Sequence, residues 1–503
     1  MAVAGVSSQS ERSGARTAPA HRRRRSGALR PYFVLVVLFG VTRLIAAIAG
    51  VRFDMWPLGH DGFVYPYQLL DPRLLQHHLI VSIWHLNSQP PLYNLLVGLL
   101  LHLPVGLRQT VAAGLYLGLG LVMILSAFAA MTALRAPRWL AMLVCVLAMV
   151  DPTSILYENW LGYAYPTAAF LTLSAYFAVN YARTLDRWWG IGFFSSITVV
   201  TLFNSTYQLP WLMAAVLVIV LLFRSHWRSV LAVAAVPCLV LVGWMAKDFI
   251  QVGSPSTSTW LGMNFSYTTI GTDTPGDIQS LIKRHVLTPI AAVGPFSPVS
   301  SYVPKFVREA HTGVPATDEP SVADGSPNFN NQIYFQVSQL YFHDDLAWIN
   351  ANPRSYAVNV LNSMKLWMVP PDEYAFIKGN RARIAGWAET YDRTVRLRPS
   401  SSAGVVPLAN QLSYTSAAVL GLAIVGAPIL AWRRRRMNVP WAAAMGYLSV
   451  TTAYAFFITS FIEYGENERF AMELGLVPVI AAAAVVGELW RLWSARRELG
   501  RSA

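Results

Sequence analysis

The sequence predicts an all-α polytopic membrane protein of about ten transmembrane helices, with a juxtamembrane segment in its first outer loop and a large outer loop of mixed structure. Three observations predict it. The 503-residue chain is 54% hydrophobic and only 13% charged, about half the charge of a soluble protein. Its apolar residues gather into runs near the ~20 needed to cross a bilayer. Its basic residues, nearly all arginine, stand beside those runs, where they orient a membrane protein rather than bind nucleic acid. So little charge excludes an ordinary cytosolic enzyme, and the net +13 reads in part as a set of topology anchors. The arginine bias fits a GC-rich bacterial genome. Cys145 and Cys238 both lie in apolar runs and behave as small hydrophobes, so no disulfide or zinc site is expected.

Residues 1–30 are rich in Ser, Ala, Gly and Arg, include Arg22 to Arg25, and predict a disordered cytosolic tail. The run 31–50 is the first span, retained because no convincing cleavage site follows it. Further spans are expected at 111–134, 138–157, 160–181, 188–206, 208–224, 228–246, 413–432, 440–462 and 470–490. Parity decides the shorter run at 91–107. If it crosses, the Arg433 to Arg436 cluster falls outside. If it does not, Arg135/Arg138, Arg183/Arg187, Arg224/Arg228, Arg433 to Arg436 and Arg491/Arg496/Arg497 all face inside. A membrane-parallel or re-entrant segment follows, with both termini cytoplasmic.

This topology sorts the polar residues. The outer face receives the 51–90 loop, the Tyr157-Glu158-Asn159 turn, the Asn204 to Gln208 turn, a long 247–412 segment, and Tyr464 to Arg469. The long segment is Gly/Pro/Ser-rich at 251–276 and 311–327, with helical stretches near 277–288, 343–350 and 355–367. Recurrent aromatics such as Tyr334, Tyr341, Trp348 and Trp367 predict that it is ordered. No internal repeat is present, which counts against transporters built from inverted halves.

The 51–90 loop gathers Asp54, His60, Asp61, Asp71, His77, His78 and His85 among aromatics including Trp56, Tyr65 and Trp84. A carboxylate at the edge of a low-dielectric region is costly unless paired or used, and it can serve as a general base. Asp61 is the candidate base and Asp54 its alternative; His60 and Tyr65 flank it. Glu158 is the second outer carboxylate, suited equally to chemistry and to anchoring helix ends. Asp151-Pro152, two turns earlier, makes a break whose freed carbonyls need partners. In Glu463-Tyr464-Gly465-Glu466-Asn467-Glu468-Arg469, the planar fork of Arg469 suits a phosphate, while Glu466 and Arg469 could also satisfy each other. Lys247 opens a polar, Gly-bounded run extending to Asn264.

Asp61-Gly62 in a first outer loop, then Gln89-Pro90-Pro91-Leu92-Tyr93, then alternating spans with an outer acidic turn, resembles the GT-C superfamily of polyprenyl-phosphate-sugar-dependent glycosyltransferases. Protein O-mannosyl, aminoarabinose, and actinobacterial arabinosyl and mannosyl transferases belong to it. The resemblance covers 31–246 in architecture; the family often has Asp-Glu where this chain has Asp61-Gly62, and His-Pro-Pro-Leu where it has Gln89-Pro90-Pro91-Leu92. It implies a GT-C-like seven-span module over 31–246, an extracytoplasmic segment over 247–412, and three further spans with a cytosolic tail over 413–503. It also implies sugar transfer from a polyprenyl-phosphate donor to a glycan, lipid or protein acceptor at the outer face of a bacterial inner membrane. No cofactor is required, and the missing second acid leaves a divalent metal possible but not expected. Asp61 would take the acceptor proton, Glu158 would position acceptor or donor phosphate, and Arg469, with Lys247 or Lys365, would face the phosphate. The run from Lys247 is similar to a stretch in relatives of these enzymes, in which Trp260 would stack on a sugar and Asn264 bond its hydroxyls. The alternative is a lipid or solute transporter without catalysis, which predicts charges along both faces of the spans. The sugar, the acceptor and the oligomeric state stay open.

Overall fold

The computed structural model describes residues 20–55, 68–309, 311–398 and 412–502, with side chains described from 29 to 498. It is built of helices, and among the described residues the only β-pairing is isolated bridges. Helix α1 (Ala20–Ile48) is followed by the short α2 (Pro72–His77), α3 (Leu79–Trp84) and α4 (Pro91–Leu101). Then come α5 (Val105–Ala133), α6 (Arg138–Met149), α7 (Pro152–Glu158), α8 (Ala164–Thr184), α9 (Arg187–Phe203), α10 (Leu209–Leu222) and α11 (Trp227–Val252). The expected mixed segment contains α12 (Leu261–Phe265), α13 (Pro275–Lys283), α14 (Pro315–Asp318), α15 (Ile333–Ala351), α16 (Pro353–Leu366), α17 (Lys378–Arg383) and α18 (Ala385–Thr394). The chain closes with α19 (Tyr414–Gly421), α20 (Ala427–Arg434), α21 (Val439–Ile462), α22 (Asn467–Glu473) and α23 (Val477–Ser502).

Six helices are long and apolar enough to cross a membrane, or seven if the bent pair α6 and α7 is one span. Helices α8, α9 and α10 fill the three remaining runs where spans were expected. Helix α8 packs against α5, α9 and α21 and buries Thr167, Thr172 and Ser174, so its composition answers to neighbouring helices rather than to lipid. Helices α9 and α10 have 17 and 14 residues. The ambiguous 91–107 run resolves into α4, whose 11 residues rise about 16 Å against a ~30 Å hydrocarbon core, and α5, which starts at Val105.

Two expected boundaries are corrected. Helix α1 starts at Ala20, ahead of the expected 31, because the Arg, Ala and Leu residues of this stretch are good helix formers; residues 1–19 of the expected tail lie outside the described residues. The expected span 470–490 is divided instead between α22 and α23 at Gly475, whose φ is +57° and where a Cβ would lie 2.5 Å from the Ala168 carbonyl oxygen.

The break at Asp151-Pro152 bends α6 against α7 by 55°. Three carbonyls at the break find side-chain donors: the Tyr391 hydroxyl donates to Leu147 O (3.0 Å), Arg43 Nη1 to Met149 O (2.6 Å) and Trp387 Nε1 to Val150 O (2.9 Å). Asp151 caps α7 by accepting from Thr153 N and also accepts from Arg396 Nη2 at 2.7 Å. Arg396 in turn holds Asp372 and Asp392, so the 371–398 segment is riveted onto the break.

Candidate functional site

A cavity of about 650 Å³ lies at the end of the bundle that carries the 253–412 segment. Distant stretches converge on it: Gln89 and Tyr93 at the start of α4, Trp160 to Tyr163 before α8, Asn204 to Thr206 before α10, Ser256 to Tyr267 around α12, Tyr374 and Phe376, and Glu463 to Phe470 before and within α22. Helix α12 reaches this position because Gly262 lets it lie against the backbone of α15; a Cβ there would fall 1.9 Å from Ser338 O.

The lining is of mixed character. It contains Pro210 of α10 together with Tyr454, Ile458 and Ile462 of α21, residues that belong to apolar helices. The rest of the lining is polar and aromatic. Trp160 stacks on Phe376 with an interplanar angle of 3°, and Tyr267 stacks on Phe296 at 10°. Asn204, Ser205, Gln208, Ser256 and Asn264 add amides and hydroxyls.

Arg469 is the only cation among the described residues that line the cavity. Its Nε and Nη2 donate to Glu466 Oε2 at 3.0 and 2.6 Å, and its Nη1 donates to Glu473 Oε1 at 2.6 Å and to the Tyr163 hydroxyl. Glu473 also accepts from Asn204 Nδ2 (2.6 Å), and Glu466 Oε1 accepts from the Tyr374 hydroxyl (3.3 Å). Burial pushes Glu473 up to about 7 despite the attraction of Arg469. Glu463 is raised as well, by burial and then by the neighbouring Glu466. Burial disfavours the charge on Arg469, but Tyr163 and the surrounding carboxylates outweigh it and hold the guanidinium protonated. The group is a clamp whose most accessible carboxylate is Glu466, with 39% of its side chain exposed.

Of the residues singled out in the sequence, Trp260, Asn264, Glu466 and Arg469 meet at this cavity. Trp260 is 2% exposed, with Nε1 donating to Phe329 O, so it is mainly a wall and core residue. Glu158 lies elsewhere: it is buried in a bidentate pair with Arg43 and accepts from the Tyr165 hydroxyl at 2.7 Å. Lys247 is also buried, with Nζ 2.5 Å from Asp248 and donating to Leu86 O. Lys365 is exposed on α16 and donates to Asn362 Oδ1. Neither lysine lines the cavity. His60, Asp61 and Tyr65 lie outside the described residues. The flanks of their segment adjoin the site: Asp54 N donates to Asn159 O, Leu161 N donates to Asp54 O, and Gln68 lines the cavity.

Sequence reading missed Tyr163, Tyr374, Phe376 and Glu473. Tyr163 could have been noticed in the aromatic run after Glu158, and Glu473 was hidden by the expected span over it. Tyr374 and Phe376 carry no sequence signal; they arrive through the docking of 371–398.

No family model matches the sequence, and no curated protein does. Among solved structures, the chain is similar over 94% of its length to the oligosaccharyltransferase AglB from Archaeoglobus fulgidus in complex with an inhibitory peptide and a dolichol-phosphate, at 12% identity and a TM-score of 0.37. It spans about half the length of that protein, 52%. It is also similar over 90% of its length to ArnT from Cupriavidus metallidurans bound to undecaprenyl phosphate, covering 78% of that chain at 15% identity and a TM-score of 0.33.

Proposed function

We propose that the protein is a membrane glycosyltransferase that moves a sugar from a polyprenyl-phosphate donor to an acceptor at the outer face of the membrane, with Asp61 as general base. The observation that carries this reading is the mixed lining of the cavity, which joins apolar helix residues to aromatic rings and amides. A lipid-linked sugar is apolar at one end and densely hydroxylated at the other. Tyr454, Ile458 and Ile462 suit the isoprenoid end, while Trp160, Tyr163 and Phe376, with the amides of Asn204 and Asn264, suit a sugar ring.

The acceptor hydroxyl is a poor nucleophile until a base takes its proton as it attacks the anomeric carbon. The segment carrying Asp61 leaves and rejoins the described chain beside this cavity, which supports its assignment as that base. The bond from the anomeric carbon to the phosphate oxygen breaks and lipid phosphate departs as an anion, for which Arg469 is the cation on the wall. Since Glu466 and Glu473 already occupy its fork, the phosphate competes with the accessible Glu466.

The test is transfer from labelled polyprenyl-phosphate sugars by the purified full-length chain in nanodiscs. Wild type transfers one of them, and Asp61→Asn slows that transfer by about 10²-fold or more while binding the donor. A wild-type rate in a folded Asp61→Asn protein removes Asp61 as base. No transfer from mannosyl, arabinosyl or aminoarabinosyl donors to any acceptor in a cell-envelope extract removes the glycosyltransferase reading.

A further inference from the structure

The arginine-rich end of the bundle, opposite the cavity, carries a second constellation. Helices α20 and α23 adjoin there, and Glu488, 1% exposed, is shared by Arg434 and Arg491. One carboxylate between two guanidiniums leaves an excess positive charge. Arg491 Nε is buried with no hydrogen-bond partner among the described residues, a donor in want of an acceptor. More charge surrounds the pair. Arg435 lies 3.1 Å over the Trp432 ring and Arg497 lies 3.7 Å over Trp493. The turn after α5, with exposed Arg135, is tied to the same corner by Trp441 Nε1 donating to Leu134 O.

Apolar surface continues from this corner along both helices. On α20 and the turn before it, Val425, Ile429 and Trp432 are 57%, 48% and 68% exposed at helical spacing. On α23, Val486, Leu489 and Trp490 are 41%, 49% and 51% exposed, also along one side. A free phosphate or nucleotide would have no use for these side chains. Tryptophans with arginines at the end of apolar helices are placed at headgroup depth, and basic pockets between such helices attract anionic headgroups.

We propose that the corner formed by Arg434, Arg491, Arg435 and Trp432 is a binding site for an anionic phospholipid. Its phosphodiester meets the partly exposed Arg491 side chain and the neighbouring guanidiniums, and its acyl chains lie against Ile429 and Leu489. The site does not depend on the glycosyltransferase reading.

The experiment is native mass spectrometry of the full chain in detergent, titrated with phosphatidylglycerol or with phosphatidylcholine, alongside the triple variant Arg434→Gln/Arg435→Gln/Arg491→Gln. Wild type is expected to retain phosphatidylglycerol at least about tenfold more tightly than phosphatidylcholine, and the triple variant to lose that preference while binding phosphatidylcholine as before. Equal retention of the two lipids by wild type overturns the proposal, whether or not the variant folds. So does an unchanged preference in the variant, or competition by glycerol phosphate as strong as by phosphatidylglycerol, which would make the ligand a free phosphate. Single substitutions Arg435→Gln and Arg435→Lys add a milder pair in which the lysine variant keeps the preference and the glutamine variant weakens it.

Discussion

Arg43 of α1 and Glu158 of α7 form a two-pronged ion pair inside the bundle, Nε to Oε1 and Nη2 to Oε2, both at 2.8 Å. The pair is sealed: Arg43 is also satisfied by Met149 O, Glu158 by the Tyr165 hydroxyl, and a Cβ on Gly120 would lie 2.3 Å from Glu158 Oε2. Removing one partner leaves a buried charge uncompensated. Glu158→Ala and Arg43→Ala are each expected to cost about 3–5 kcal/mol, and Arg43→Met/Glu158→Leu less than the two singles combined. Thermal unfolding in detergent measures all three. An additive double variant would show that the two residues do not act as a unit.

Arg396 holds Asp151, Asp372 and Asp392 at 2.6–2.7 Å and so ties 371–398 to the helix break. Arg396→Met should free that segment, seen as faster trypsin cleavage at Arg381 and Arg383 and faster amide exchange over α17 and α18. Trp387→Phe, which uncaps only Val150 O, should cost about 1 kcal/mol or slightly more. Unchanged exchange in Arg396→Met would mean that the ion pairs are not what holds the segment.

Glu473 supplies a pH dependence. Its carboxyl is raised by burial from an ordinary 4.5 to about 7 in the folded protein. Between those values the folded state keeps a proton that the unfolded state has lost, so stability falls as pH rises through the window, by about 3 kcal/mol at most. Glu473→Gln should flatten the fall between pH 4.5 and 7. Unfolding free energies at several pH values check it, and parallel slopes for variant and wild type would refute it.

Gly262→Ala should be far worse than an ordinary glycine substitution. The added methyl would meet Ser338 O at 1.9 Å and Phe342 N at 2.6 Å, both backbone atoms of α15. Helix α12 must then shift, taking Trp260 and Asn264 out of the cavity wall. A loss of several kcal/mol, at the upper end for an overpacked site, is expected in thermal unfolding.

Asn264 and Trp260 should separate in their effects. Trp260 is fully packed against Phe296 and Phe329, so Trp260→Ala should cost about 3–5 kcal/mol of stability. Asn264 offers its amide to the cavity. Asn264→Ala is expected to leave the melting temperature near wild type and to raise KM for a lipid-linked sugar. A large loss of stability in Asn264→Ala would make it a packing residue instead.

Much of the architecture was legible because it is local. Apolar runs and flanking arginines marked the helices from α5 to α11, and Asp151-Pro152 marked a break whose carbonyls needed donors. Trp260, Asn264, Glu466 and Arg469 were singled out in the sequence, and all four line one cavity. The misreadings arose where local composition is blind. The 470–490 run looked like one span because Phe470, Met472 and Leu474 are apolar, yet Gly475 turns the chain there and Glu473 is kept off the lipid by Arg469 and Asn204.

By itself the sequence determined that this is a helical membrane protein, since apolar length and charge placement act over one helix at a time. Tertiary structure decided which charges are used up. Glu158 is 115 residues from Arg43, and no spacing rule joins them, yet in the low-dielectric interior neither is tolerable without the other. It also decided what Arg469 is: a fork suited to phosphate in isolation, and in the fold a clamp whose charge is already shared between Glu466 and Glu473.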